Sequence, residues 1–501
     1  LVFWQESDAP GLYVSMMQVT TEMPIALDIA SLTASLKNAH SDKLGEAKTL
    51  ADTLRKRRKR LFDLIDFPVV LWSGCAPSRN YPANKLQFRA SSHFLYFAGL
   101  PLENAAIRME AGRLELFMDD PSPDDALWHG KKPMREEIAE LIGANTDHPM
   151  GELWWRSQGC ATIPVQDVMI NNQQSGILHR WLYSASSLNS IDWDLAYAIV
   201  RLRLNHDAGA LTELRKAAAS TVDAHKSGMA ATRHCKTEAE VRSAMESVFT
   251  ARNMTCAYNS IVTVRGEVLH NQQYHHPLQQ GDLLLADVGA ETPMGWASDV
   301  TRTWPVSGKF SSTQRAIYDV VLAAHDACIA KICPGVEYKD IHLLGATTLT
   351  QGLVDLGIMK GDAEELVELD AHAAFFPHGI GHAIGLDVHD MEDLGDLAGY
   401  ELGRIRSDRF GLNYLRLDRP LKAGMLVSIE PGFYQVPSLL NYPDKREKYQ
   451  EIVDWDRLAE FSDVRGIRIE DDVLVTESGC DVITSDLPSH PDAIEHFVSG
   501  W

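Results

Sequence analysis

A chain of 501 residues is too long for one domain of the usual ~150 residues, so two or three are expected. Lys and Arg number 47 against 69 Asp and Glu, a net charge of −22. Sequence-independent binding to nucleic acid and docking on anionic lipid both need basic surface, so both are excluded as partners. Hydrophobic residues make up 45% and charged ones 23%, a globular composition in which no apolar run approaches the roughly 18 residues of a membrane span.

Leu1–Val14 carries Glu6 and Asp8 but no Lys or Arg, unlike a secretory leader, and Met16 and Met17 are candidate starts. Residues 1–40 are expected to be an N-terminal extension, partly disordered or foreign to the protein. From Ile29 to Ile65 the pattern predicts helix. Its basic run Arg55–Arg60 reads as a solvated helix face. Phe67–Trp72 predicts a buried strand closed by Ser73-Gly74. Ala105–Met109 and Leu114–Met118 flank Glu110-Ala111-Gly112, a hairpin signature. This first α/β region is expected over residues 41–195, with a seam near Asp192–Asp207.

Residues 196–501 form a second region. Leu211–Ala231 and Glu238–Arg252 predict amphipathic helices, as do Thr313–Ile332 and Ile341–Leu356. Short apolar runs predict strands at Ile261–Val264, Leu283–Val288, Val300–Trp304, Leu426–Ile429 and Val473–Thr476. Seven scattered cysteines with no C-x-x-C pair predict reduced thiols and a cytoplasmic protein.

The chemistry lies at the ends of these later strands. Asp287, Glu430 and Glu470 each follow apolar residues, and Asp299 precedes Val300. An acid in an apolar strand is costly unless paired or metal-bound. Several such acids, joined by histidines in Pro377–His382 and Leu386–Asp390, point to a shared cation. The set is hard and oxygen-rich, suiting a pair of divalent ions, Mn²⁺ first with Zn²⁺ or Co²⁺ as substitutes. The stretch between His378 and His382 is Gly-Ile-Gly, with no Glu, so it is not a zincin helix. Residue types alone leave open which histidine binds metal.

In order, Asp287, Asp299, His382, Glu430 and Glu470 resemble the ligand set of the pita-bread metallopeptidases, in the Xaa-Pro peptidase branch (prolidase and aminopeptidase P). His-Gly-Ile-Gly-His, Glu-Pro-Gly-Phe-Tyr and Gly-Ile-Arg-Ile-Glu-Asp-Asp carry the likeness. In the first region, Phe88–Tyr96 and Asp124–Gly130 resemble the companion domain. The resemblance implies an α+β protein: a C-terminal pita-bread (creatinase/aminopeptidase-like) catalytic domain after an α/β, ribonuclease H-like N-terminal domain. It implies that Asp287 holds one ion and His382 with Glu430 the other, while Asp299 and Glu470 bridge. A metal-bridging hydroxide would attack the scissile carbonyl. Glu430 would shuttle the proton, His389 would stabilise the tetrahedral intermediate, and His270, His378 and Tyr434 would line the substrate pocket. A homodimer acting on proline-containing di- or short peptides is implied as well.

Two departures stand out. The Asp287–Asp299 spacing is one residue longer than usual, around Pro293, and Asn271 follows His270 where an aromatic residue is common. Arg416 matches the arginine with which prolidases hold a free carboxylate, and a long stretch separates Glu430 from Glu470. Both favour an Xaa-Pro dipeptidase, with aminopeptidase P acting on longer peptides as the alternative. Arg468, two residues before Glu470, is expected beside the metal and substrate. A non-catalytic pita-bread binding module is the reading from another class; the complete ligand set weighs against it.

Overall fold

The computed structural model describes residues 41–183, 188 and 190–500. The expected extension over residues 1–40, with the start of the helix expected from Ile29, lies outside them.

The first helix, α1 (Ser41–Phe62), leads to strand β1 (Val69–Trp72), whose four residues are all buried. A short helix α2 (Ser92–Ala98) follows, then β2 (Ala106–Glu110) and β3 (Arg113–Phe117). At the turn between β2 and β3, Ala111 and Gly112 both have positive φ, 49° and 79°, as a two-residue primed hairpin turn requires. Strand β4 (Thr146–His148) joins β3 in parallel and completes a sheet in the order β1-β2-β3-β4.

The basic run on α1 corrects the expectation of a solvated face. Arg55, Lys56, Lys59 and Arg60 are exposed, but Arg57 and Arg58 are buried. Arg57 grips Asp207 through two bonds of 2.7 and 2.9 Å, and Arg58 donates to the carbonyls of Phe97, Ile142 and Gly143. A guanidinium can be buried when most of its donors are met in this way, although Arg58 Nε has no partner.

Helix α3 (Ser190–Arg203) crosses residue 195, the expected division between the two regions. The chain leaves it at Leu204–Asp207, and Asp207 then caps α4 (Ala208–Thr232) by accepting from the Ala210 N–H. Helix α5 (Glu238–Ala251) packs along α4. The approach is close: a Cβ on Gly228 would stand 2.7 Å from Met245.

Strands β5 (Ile261–Thr263), β6 (Leu283–Asp287) and β7 (Thr301–Pro305) form one antiparallel sheet with β6 in the middle. A second helix pair follows, α6 (Ser312–Lys331) and α7 (Tyr338–Asp355). A capping box between Ser311 and Gln314 starts α6. Strand β8 (Leu426–Ile429) pairs with β11 (Asp471–Val475), which also pairs with β12 (Cys480–Val482). Between them, β9 (Gly432–Tyr434) pairs with β10 (Gly466–Arg468). Strand β11 begins two residues before the expected Val473, because Asp471 and Asp472 are buried with partners. Helix α8 (Pro491–Ser499) closes the described chain against α4. Among the described residues no helix is long and apolar enough to cross a membrane.

Candidate metal centre and active site

Each expected acid stands at a strand end. Asp287 is the last residue of β6, opposite Ile261 on β5 and Thr301 on β7. Asp299 sits just before β7, its backbone N–H bonded to Asp472 Oδ1 at 3.1 Å. Glu430 follows β8, and its N–H donates to the Ile380 carbonyl. Glu470 lies between β10 and β11; its N–H donates to the Thr301 carbonyl, and Thr301 Oγ1 donates to its Oε2 at 2.6 Å.

The histidine segment is laid along β8. Ser428 N–H donates to the His382 carbonyl, and His382 N–H donates back to Ser428 Oγ. This close contact needs glycine at position 381. Its φ is +155°, and a Cβ there would stand 2.2 Å from the Ser428 carbonyl oxygen.

These residues converge. Asp287, Asp299 and Glu470 each place a ligand atom within 4.8 Å of the others, and so do His382, Glu430 and Glu470. A third set, Asp299, His382 and His389, meets the same limit. Glu470 and Asp299 thus belong to groups on both sides of the cluster. The donor chemistry fits a pair of divalent cations. Burial holds Asp287, Glu430 and Glu470 above the usual carboxylate range, with neighbouring carboxylates adding to the effect. Glu470 Oε1 is buried without a hydrogen-bond partner. Without cations these carboxylates would repel one another in a low-dielectric site.

The histidines divide by charge. Against the opposing effect of burial, the contact with Asp299 (3.4 Å) and the charge of Glu430 push His382 up to about 9. His378 goes the other way, pushed down to about 3 by burial and the Arg468 charge. Its Nδ1–H donates to the Gly379 carbonyl and its Nε2 accepts from the Tyr434 hydroxyl at 2.9 Å. Burial and the neighbouring His382 lower His389, and burial lowers His270.

The cluster opens into a cavity of about 480 Å³ lined by His270, His378, His382, His389, Arg416 and Arg468, among others. Two site expectations change. Tyr434 is fully buried and does not reach this space. Its hydroxyl accepts from Arg468 Nη1 at 3.1 Å and donates to His378, so it orients the wall from behind. Arg416 does line the cavity, but its Nη1 is already bonded to both oxygens of Glu392, at 2.8 and 2.6 Å.

Over residues 212–477 the chain matches the family described as metallopeptidase family M24, and over 54–158 the aminopeptidase P N-terminal domain. The chain belongs to metallopeptidase family M24. It is 31% identical to the Xaa-Pro aminopeptidase of Haemophilus influenzae, covering 90% of this chain and 98% of that protein. It is 32% identical to a probable Xaa-Pro aminopeptidase of Verticillium alfalfae, covering 82% and 88%. Among solved structures it resembles aminopeptidase PepP of Pseudomonas aeruginosa, with a TM-score of 0.72 and 26% identity over 90% of this chain and 98% of that one. It also resembles a zinc-substituted aminopeptidase P of Escherichia coli in complex with product, with a TM-score of 0.70, 26% identity and the same coverage. This M24 chain is therefore a metallopeptidase with the aminopeptidase P fold, an N-terminal domain followed by a pita-bread domain.

Several residues of this M24 site carry no motif. Tyr258 donates to Asp287 Oδ1 at 2.5 Å and also contacts Asp299 Oδ1, tying two candidate ligands together. It is a lone aromatic residue in coil, with no signal to find it by. Asp472 holds Ser298 and the Asp299 backbone from behind. Glu392 bridges His389 Nδ1, at 3.2 Å, and Arg416; its position three residues after His389 was the available hint.

Proposed function

We propose that this chain is an Xaa-Pro aminopeptidase, cleaving the bond between an N-terminal residue and proline in peptides longer than two residues. The observation that carries the reading is the pair of overlapping ligand triads sharing Glu470, set in a fold whose relatives are Xaa-Pro aminopeptidases along most of their length. The dipeptidase reading favoured on sequence gives way to its alternative, because its main support, Arg416, is engaged by Glu392.

Asp287, Asp299, His382, Glu430 and Glu470 would hold two divalent ions, Mn²⁺ being our first choice for so oxygen-rich a set. Bound there, such ions lower the pKa of water and stabilise negative charge on a carbonyl oxygen. The protein's own groups do the rest. Glu430, whose Oε2 lies 3.7 Å from His378 Nδ1, moves the proton to the departing proline nitrogen. His389, whose Nδ1–H faces Glu392 at 3.2 Å, would donate from Nε2 in its protonated form to the oxygen on which charge develops. His270 and His378 present neutral imidazoles to the substrate, and Arg468 fixes Asp287 and, through Tyr434, His378. We further infer a homodimer, and a reducing compartment from the seven unpaired thiols.

The test is a Mn²⁺-supplemented assay comparing Xaa-Pro-Yaa tripeptides with Gly-Pro and Ala-Pro. Higher kcat/KM on tripeptides is expected. Equal or better cleavage of the dipeptides refutes the aminopeptidase reading and restores the dipeptidase one.

A further inference from the structure

A dipeptide and a longer peptide differ at one point near the scissile bond. The carbonyl carbon of proline carries an ionised carboxylate in Xaa-Pro and a neutral amide in Xaa-Pro-Yaa. With the Xaa–Pro bond at the metal cluster, that group lies two bonds beyond the proline nitrogen, inside the cavity. What the cavity offers a negative charge there decides whether dipeptides bind.

The cavity is rich in carboxylates: Asp287, Asp299, Glu392, Glu430 and Glu470 all line it. Its three lining arginines each already hold a carboxylate. Arg468 is paired with Asp287, Arg406 with Asp396 at 2.6 Å, and Arg416 with Glu392 at 2.6 Å. Arg468 cannot be released, being buried and bonded also to Thr301 and Tyr434. Arg406 is further anchored to the Leu415 carbonyl at 2.6 Å. That leaves Arg416, whose side chain is 39% exposed and which lies close enough for its charge to act on His270, His382 and Glu430. Glu392 is held from its other side by His389 Nδ1 at 3.2 Å, so it is not a loosely wandering surface acid.

We propose that Glu392 is a specificity-determining residue. Its carboxylate pairs with Arg416 through Nη1, neutralising the charge that a substrate carboxylate would meet, and so selects against Xaa-Pro dipeptides and for peptides in which the proline carbonyl is an amide. A free carboxylate entering this cavity must either displace Glu392 from Arg416 or sit beside it as a like charge, whereas an amide does neither. The proposal rests on the aminopeptidase reading and adds its cause.

Two variants of opposite sign test it, read as the ratio of kcat/KM for Ala-Pro to that for an Ala-Pro-Yaa tripeptide. The ratio cancels any general loss transmitted through His389. Glu392→Gln removes the charge and frees Arg416 to pair with the substrate, so the ratio should rise by about tenfold or more, the scale of one charge-assisted hydrogen bond. Glu392→Ala should do the same. Arg416→Ala leaves the Glu392 charge unpaired in the cavity, and the ratio should fall below that of wild type. Both side chains are more than a third exposed, so neither change threatens the fold. In wild type, Ala-Pro-amide should be cleaved faster than Ala-Pro. A ratio unmoved by the Glu392 variants overturns the proposal. Wild-type preference for the free dipeptide would instead overturn the aminopeptidase reading itself, whatever the variants do.

Discussion

Replacing Arg468 with Met tests how the cluster and the substrate wall are coupled. Arg468 is 4% exposed and its guanidinium has three partners: Asp287 Oδ2, Thr301 Oγ1 at 2.9 Å and the Tyr434 hydroxyl at 3.1 Å. Through the first it fixes a candidate ligand, and through the last it fixes His378. Losing a partner that orients a metal ligand typically costs about 10–100-fold in metal affinity or activity, equivalent to about 1.4–2.7 kcal/mol. The Tyr434–His378 arm adds to this, so kcat/KM should fall by about a hundredfold. Tripeptides and dipeptides should suffer equally, because neither arm touches the group that distinguishes them. Arg468→Lys should rescue only part of the loss, since a point-like ammonium cannot serve Asp287, Thr301 and Tyr434 together. Steady-state kinetics on both substrate classes, with a metal titration of each variant, measures all of this. If folded Arg468→Met keeps kcat/KM within about threefold, or if it damages one substrate class alone, the coupling described here is wrong.

Asp299→Ala and Glu470→Ala should each abolish activity and lower bound metal measured by elemental analysis, because each residue belongs to groups on both sides of the cluster; full metal content with near wild-type turnover in either would refute the assignment. Glu430→Gln should keep part of the metal while losing rate, since an amide oxygen still ligates weakly but moves no proton; an unchanged rate would remove Glu430 from proton transfer. Burial pushes His372 down to about 4 and both its ring nitrogens lack partners, so it folds neutral. The unfolded chain then binds the extra proton below pH ~6.5, and stability is lost as pH falls from about 6.5 towards 4, by about 2 kcal/mol at pH 5 from this group. Denaturant titrations should show a smaller loss between pH 7.5 and 5 in His372→Leu, and an unchanged loss would refute the account.

The acids of the cluster were legible because each breaks a pattern. Asp287, Glu430 and Glu470 end or interrupt runs such as Leu283–Ala286 and Leu426–Ile429, where a charge has no local reason to be. What the pattern hid is what tertiary contact supplies. Asp471 and Asp472 fall outside the strand expected from Val473, since the apolar run begins only there. Yet Asp471 takes two 2.9 Å bonds from Arg302, with His325 at 3.1 Å, and Asp472 accepts from Ser298 at 2.7 Å. The run Arg55–Arg60 read as one face because charge periodicity says nothing about the carbonyls of Phe97, Ile142 and Gly143 that receive Arg58. Arg416 matched a family position, and only the partner 24 residues earlier, Glu392, changes what it can bind.

That partner is itself held from outside the catalytic domain. The loop carrying His389 and Glu392 runs through Asp387, Asp390 and Asp393, and each of these acids is gripped by a residue that precedes α4. Ser92 Oγ donates to Asp387 at 2.8 Å, His93 Nε2 meets Asp393 at 2.9 Å, and Arg203 on α3 meets Asp390 at 2.6 Å. Arg203 also contacts His93 Nδ1 at 3.0 Å, so the three grips form one network. The Arg203 and Asp390 side chains are each only 2% exposed, and breaking one partner of such a buried pair costs about 3–5 kcal/mol. A loop fixed at that energy does not drift by the ångström that would let Glu392 leave Arg416 or His389 leave the cluster. The Phe88–Tyr96 phrase of the N-terminal domain therefore acts on the reaction without reaching the cavity wall at His389. It fixes where the charge that screens substrates stands, and the two domains build that wall together.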